Sequence, residues 1–473
     1  MARLRRDTQD SPATQYPPSL TTQPTLRIVA SGTLFLTHTL ELPTHPAPST
    51  VHRAKSVAKS RGGAASACLS ILAQFPGVDA KLVASLSNND EGKMIIDQLE
   101  REGVSTRYCK IWEGASVPTA WVLHAADTDQ QTIINHNPLP DITHEEFVTI
   151  LGPLLIPENY AHLVPSPNSP PVINPPFPSN NTNAPFEWLH FEGRSVKTTL
   201  NNVVGIDGLA RERKWRDRCV FSVDVGRKAR QGVQALMPHA DVIFVNVHYA
   251  KAHSPAHAAT PRSYLLSLAA SSSVAPHVLL IAYWGNKQGA AVLSLPTKEY
   301  FQSSGWVRPP THRATSKTPN NRPRSVTSDS VFWADGGVDH SSSSNFSLTG
   351  NSRDSGTDPV SSSYDHDHEE DNDSEGTETG DNVTQEDEDV IDEIGAQEAF
   401  IAGMIFALTR KILPGEPYTP RLSASVHSMN EEKGKWRLEE CLKFATELAG
   451  RKATRRGWDG LAKEMSRAGW FDG

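Results

Sequence analysis

The chain has 473 residues and a formal net charge of −8, yet residues 365–393 hold 15 Asp and Glu with no Lys or Arg, and removing those 15 takes −8 to +7. The remainder is mildly basic, which suits an anionic small-molecule ligand, and its dispersed Lys and Arg lack the continuous footprint of a nucleic-acid binder. No apolar run reaches the ~18 residues of a membrane span, and Cys68, Cys109, Cys219 and Cys441 have neither paired nor zinc-ligand spacing, so a reducing, cytoplasmic setting without membrane or nucleic-acid partners is expected.

Residues 1–24 are polar and Pro-rich, and residues 307–390 are Ser-rich and then acidic; both are expected to be disordered. Residues 165–185 form a Pro/Asn-rich insert that builds no element. The basic start, Arg3-Leu4-Arg5-Arg6, has no apolar region behind it and is not a secretory signal. Residues 25–306 and 391–473 are left, enough for one domain with a large core.

In chain order, residues 26–32 read as a first strand, and Arg61-Gly62-Gly63 opens a helix running to residue 72. Residues 81–86 are a second strand. Residues 91–102 are an amphipathic helix stopped by Gly103. Residues 120–124 and 131–135 flank a polar turn and read as a hairpin. Strands follow at 188–191, 220–223, 242–245 and 278–282, with helices at 198–213 and 262–270 between them. Alternating buried strands and helices predict an α/β fold with a mostly parallel sheet covered on both faces. Residues 399–408 are apolar on every side, so that helix must be buried. An amphipathic helix at 436–456 closes the chain.

The chemistry concentrates where Gly395-Ala396-Gln397-Glu398 empties into the apolar helix. The amides and dipole of a helix start suit a bound anion, and Glu398 is placed to take a proton from a hydroxyl. An anion hole beside a base is what phosphoryl transfer to an alcohol requires, and an anion-binding turn without catalysis is the plainer reading. Other candidates sit after strands, where sheets of this kind bind ligands. Gly62-Gly63 permits close backbone approach to a substrate or is a packing turn. Arg194, directly after a strand, is a phosphate clamp or one half of a structural ion pair. Trp284, Gly285 and Gly289 bracket a polar loop that lies beside a nucleotide or is an ordinary hairpin turn.

Together these features resemble the PfkB, or ribokinase-like, carbohydrate kinases, and within them the ketohexokinase-like branch. The resemblance rests on Arg61-Gly62-Gly63-Ala64-Ala65-Ser66, Leu99-Glu100-Arg101-Glu102-Gly103-Val104, Trp188-Leu189-His190-Phe191-Glu192-Gly193-Arg194 and Asp241-Val242-Ile243-Phe244-Val245. Asp392 to Phe400 resembles the family's D-T-x-G-A-G-D signature. Ala449-Gly450-Arg451-Lys452 with Gly457-Trp458-Asp459-Gly460 resembles the ketohexokinase C-terminus.

The resemblance implies a three-layer α/β/α ribokinase-like fold with a small β-sheet lid, built from about 33–60 and 104–136 and available for a homodimer. It also implies ATP and Mg²⁺ as cofactors and a small-molecule acceptor. ATP would lie near residues 284–290 and the C-terminal helix, with Arg194, Trp284, Gly285 and Gly289 as nucleotide-binding residues. The amides of Gly395, Ala396 and Gln397 would hold the transferred phosphoryl group, Glu398 would be the base, and Asp224 would sit near the Mg²⁺. Gly62, Gly63, Thr37 and Ala64 would fall on the acceptor side.

Departures from the pattern cluster at those acceptor and anion-hole positions. Glu398 replaces Asp, moving the carboxylate by ~1.5 Å, when ~1 Å can cost ~10²-fold in rate. Gln397 replaces a glycine. Thr37 stands where a sugar-binding carboxylate is expected, and Ala64 and Ala67 stand in place of two Asn. Their loss argues against simple hexose phosphorylation. Two functions follow: an ATP-dependent phosphotransferase acting on an alcohol of a sugar-like or less polar molecule, or a pseudokinase that binds nucleotide without turnover. An adenosine-type nucleoside kinase shares the fold, and the C-terminal segment counts against it.

Overall fold

The computed structural model describes residues 25–128, 130–163, 184–285, 287–306, 393–410 and 437–471. The expected disordered start, most of the Pro/Asn-rich insert and the acidic insert fall outside them. The first half of the chain supplies β1 (Leu26–Ser31), β2 (Phe35–Leu42), β3 (Ser56–Gly62), α1 (Ala64–Leu72), β4 (Val78–Val83), β5 (Ser85–Ser87) and α2 (Asp90–Arg101). Next come β6 (Val104–Ser105), β7 (Lys110–Trp112), β8 (Thr119–Ala125), β9 (Gln130–His136) and α3 (His144–Leu155). The second half supplies β10 (Trp188–Glu192), α4 (Val196–Glu212), β11 (Val220–Asp224), β12 (Val242–Asn246), α5 (Val247–His253) and α6 (Pro261–Ala269). It ends with β13 (Leu279–Tyr283), β14 (Ala290–Ser294), β15 (Tyr300–Ser303), α7 (Glu393–Arg410), α8 (Leu438–Ala453) and α9 (Leu461–Arg467).

The main sheet has the order β15-β14-β13-β12-β11-β10-β1-β4-β6. It is parallel from β6 to β13, and β14 and β15 close the far edge as antiparallel strands. The two-residue period of a strand splits its side chains between two cores. Ile28, Ala30 and Trp188 join one core with α1, α2, α7 and α8; Val29 and Leu189 join the other with α3, α4 and α6. This is the three-layer ribokinase-like α/β fold expected.

Helix α7 justifies its composition. Phe400, Met404, Ile405, Phe406 and Leu408 are all buried, and Phe406 stacks on Phe75 at 4.3 Å and 19°. A Cβ on Gly403 would meet the Ala445 backbone at 2.8 Å, so the glycine sets how closely α7 and α8 approach. The other helices carry the caps their sequences offer: the Asn89 side chain accepts from the Gly92 N–H, and Thr143 and Glu146 form a capping box.

A second sheet, ordered β3-β2-β8-β9, stands apart as the lid. Its strands begin at Phe35 and end at His136, but residues 104–112 do not join it: β6 pairs with β4, and β7 pairs with β5. The strand expected at 81–86 is likewise two elements. After Val83 the chain leaves the main sheet, and Ser85–Ser87 pairs with β7 instead. Arg61 is not the opening of a helix but lies near the end of β3, and the helix expected to close the chain is shorter, Leu438–Ala453, and is followed by α9. All four cysteines are buried and none forms a disulfide. Among the described residues no helix is long and apolar enough to cross a membrane.

Candidate functional site

Because β1, β10 and β11 run parallel and adjacent, their C-terminal ends share one edge of the sheet. Strands β10 and β11 each end in an acid, and the register sets Glu192 beside Asp224. Both are buried, at 5% and 2% exposure. Glu192 is held by the Thr33 N–H at 3.1 Å and the Arg194 Nε at 2.5 Å. Asp224 accepts the Gly226 N–H at 3.0 Å. Burial, more than the nearby Glu192 charge, pushes the Asp224 carboxyl up to about 6; the Gly226 N–H and the charges of Arg230 and Arg227 pull the other way. The crowding requires Gly32, where a Cβ would lie 2.4 Å from Glu192 Oε2 and 2.6 Å from the Ala65 Cβ.

Helix α1 brings the second group of candidates. Gly63 precedes it at φ +120°, and a Cβ there would lie 2.4 Å from the Thr33 carbonyl oxygen. Thr37 on β2 sits against Gly62, its Oγ1 3.1 Å from where a Cβ would be, and Ala64 is the half-buried first residue of the helix. One turn on, Cys68 carries a thiol pushed well above its ordinary range by burial, with Glu398 and Asp224 adding to the effect. Helix α1 packs on α7, and Arg227, on the loop after Asp224, reaches Gln397 beside Glu398 on α7.

Gly395, Ala396 and Gln397, read as a turn ahead of the helix, are themselves helical, because α7 starts at Glu393. Ala, Gln and Glu are strong helix formers and extend the helix upstream. Gln397 and Glu398 are buried, at 4% and 8% exposure. The Gln397 Oε1 accepts from the Arg227 Nε at 3.3 Å.

Arg194 takes the ion-pair alternative. Besides its bond to Glu192, its guanidinium lies over the Phe35 ring of the lid at 5.0 Å. Trp284, Gly285 and Gly289 lie elsewhere, in the β13–β14 hairpin. The Gly289 N–H bonds the Gly285 carbonyl at 2.9 Å, and a Cβ on Gly289 would lie 2.0 Å from the Ser303 carbonyl oxygen. The Trp284 indole is buried and donates to the Ala258 carbonyl at 3.3 Å.

A small cleft of about 60 Å³ opens beside Arg194 and Glu192, between the sheet edge, the lid and the start of α4. Its wall is polar, with Thr33, Asn137, Ser195 and Asn202 among the lining residues. Ser195 has φ +43°, uncommon outside glycine, and donates its Oγ to Asp141 at 2.7 Å. Three contributors escaped the sequence reading. Glu192 was detectable as an acid ending an otherwise apolar strand, as Asp224 is. Arg227 and Asn202 gave no such signal, since only the fold brings them here.

Residues 27–159 match the family described as pfkB family carbohydrate kinase. No curated protein matches the sequence. Among solved structures, the chain is similar to ribokinase from Giardia lamblia, with a TM-score of 0.55 and 14% identity over 94% of this chain and 100% of that one. It is similar to ribokinase from Cryptococcus neoformans var. grubii serotype A in complex with ADP, with a TM-score of 0.51 and 14% identity over 94% and 99%. It is also similar to a PfkB protein from Polaromonas sp., with a TM-score of 0.51 and 12% identity over 93% and 99%. At such identities the likeness is one of fold. The chain therefore has the ribokinase-like fold, and residues 27–159 of it are similar to the pfkB family of carbohydrate kinases.

Proposed function

We propose that the protein transfers the terminal phosphoryl group of ATP to a hydroxyl of a sugar-like small molecule. The observation that carries this reading is the contact between the Asp224 loop and α7: the Gly226 N–H bonds Asp224, and the next residue, Arg227, reaches Gln397 beside the helix-borne carboxylate Glu398. Glu398 serves as the base for the acceptor hydroxyl, and the positive end of α7, whose first turn includes Gly395, faces the phosphoryl group. Arg194, tied to Glu192 beneath the lid, forms the wall between acceptor and phosphates.

The polar cleft favours an acceptor with several hydroxyls. Thr33, Asn137, Ser195 and Asn202 supply hydrogen-bonding groups that Thr37, Ala64 and Ala67 do not. That supports a sugar-like acceptor over a less polar alcohol. Asp224 and Glu192 suit a divalent cation, which would relieve the penalty of a buried carboxylate. Among the described residues no cluster of three or more His, Cys, Asp and Glu could hold a metal ion, so phosphates and water would complete its shell. Bound there, Mg²⁺ would neutralise charge on the phosphates. On the lid, the exposed Val57, Trp121 and Ile134 share one face, which favours pairing of two lids.

The test is ADP release from ATP and Mg²⁺ across a panel of sugars, polyols and nucleosides. Acceptor-dependent release above a Glu398→Ala control supports the proposal. Stabilisation by ATP with no release from any acceptor favours the pseudokinase alternative, for which the comparisons give no support.

A further inference from the structure

We propose that Arg227 is the cation that binds the terminal phosphate at this site, and that Gln397 is the residue that holds it there. The inference rests on the phosphotransferase reading and explains a departure that reading leaves open, the glutamine at a signature glycine. Arg227 stands three residues beyond β11, on a loop pinned at both sides. The Gly226 N–H is bonded to Asp224, and the Gly226 carbonyl accepts the Asn246 Nδ2 at 2.9 Å. From that loop the Arg227 Nε reaches Gln397 Oε1 on α7, one residue before Glu398.

The guanidinium is planar, so a bond through Nε leaves the Nη1 and Nη2 edge facing another direction. Arg227 is half-buried, and its one hydrogen bond among the described residues is made through Nε, so the other edge is left for a ligand. An accessible two-nitrogen edge beside a helix start and a base matches the geometry of a bidentate phosphate contact. A glycine at 397 would admit a phosphate by removing a side chain; the glutamine instead supplies an acceptor that anchors a cation. Asp224, bonded to the Gly226 N–H, is the anion whose carboxyl feels the charge of Arg227. Gln397 is thus a positioning residue and Arg227 the group that touches the ligand.

Isothermal titration of the full chain with tripolyphosphate in Mg²⁺ tests the proposal without an acceptor. Arg227→Ala should weaken binding by about 10- to 100-fold, the range for a lost charge-assisted hydrogen bond, and Arg227→Lys should recover part of it. Gln397→Ala should weaken binding several-fold, and Arg227→Ala with Gln397→Ala should be no weaker than Arg227→Ala alone, because one residue acts through the other. Wild-type affinity in Arg227→Ala, additive losses in the double variant, or no binding by the wild type would overturn it. The phosphotransferase reading fails separately, if Arg227-dependent binding is present while no acceptor is phosphorylated.

Discussion

Replacing Asp224 by Asn should stabilise the protein at neutral pH and leave it unchanged in acid. The carboxyl is buried and pushed up to about 6 from an ordinary 3.8. A raised carboxyl pKa means that folding favours the protonated form. The stability this group contributes is complete below about pH 4, falls as pH rises toward 6, and stays lost above it. A gap of about two units at 1.36 kcal/mol each gives roughly 3 kcal/mol. Asn keeps the shape, and its Oδ1 can accept the Gly226 N–H that Asp224 now holds at 3.0 Å. Urea denaturation with a chelator present, at pH 7.5 and pH 4, measures the difference between variant and wild type. The expected result is a variant about 2–3 kcal/mol more stable at pH 7.5, with the difference vanishing at pH 4. A variant less stable at pH 7.5, or an equal difference at both pH values, would refute the reasoning.

Two further substitutions probe the frame around the site. Gly32→Ala places a Cβ 2.4 Å from Glu192 Oε2 and 2.6 Å from the Ala65 Cβ, so it should lower stability by about 1–3 kcal/mol; an unchanged urea midpoint would show that the sheet edge relaxes freely. Arg216 is buried and bonds Asp207 at 2.6 Å and Asp241 at 2.9 Å. Arg216→Ala leaves those carboxylates uncompensated and should cost about 3–5 kcal/mol, measured by the same denaturation, with a loss below about 1 kcal/mol counting against a tight network.

What the sequence disclosed depended on whether a segment's burial could be read locally. The run 399–408 is apolar on all sides, and no neighbour is needed to infer that it is buried; α7 is. Strands β10 to β13 are short runs rich in β-branched and aromatic residues, legible for the same reason. Strand β3 is the opposite case: Ser-Val-Ala-Lys-Ser-Arg-Gly is mostly exposed, shows no clean alternation, and owes its state to pairing with β2. Helix α3 carries Pro153 within it and mixes polar with apolar residues, so its sequence gave no clear signal.

At the site, Glu398 was visible because an acid opening an all-apolar helix is conspicuous, whereas Asp224 entered only through the family resemblance. The Arg227–Gln397 contact joins residues 170 apart and exists only once loop and helix are folded together. The Trp284 to Gly289 loop shows the converse: two glycines and a tryptophan read equally well as a nucleotide loop or a hairpin, and the positive φ angles of Gly285 and Gly289 are what the hairpin needs.

A hydroxyl-bearing acceptor should leave this protein carrying a phosphoryl group. Mass spectrometry of acceptors incubated with ATP, Mg²⁺ and the purified protein reads that directly. At least one sugar or polyol should gain a single phosphoryl group with wild type and not with Glu398→Ala. Equal product with both proteins would contradict the role given to Glu398, and unmodified acceptors throughout the panel, with ATP bound, would contradict the transfer itself.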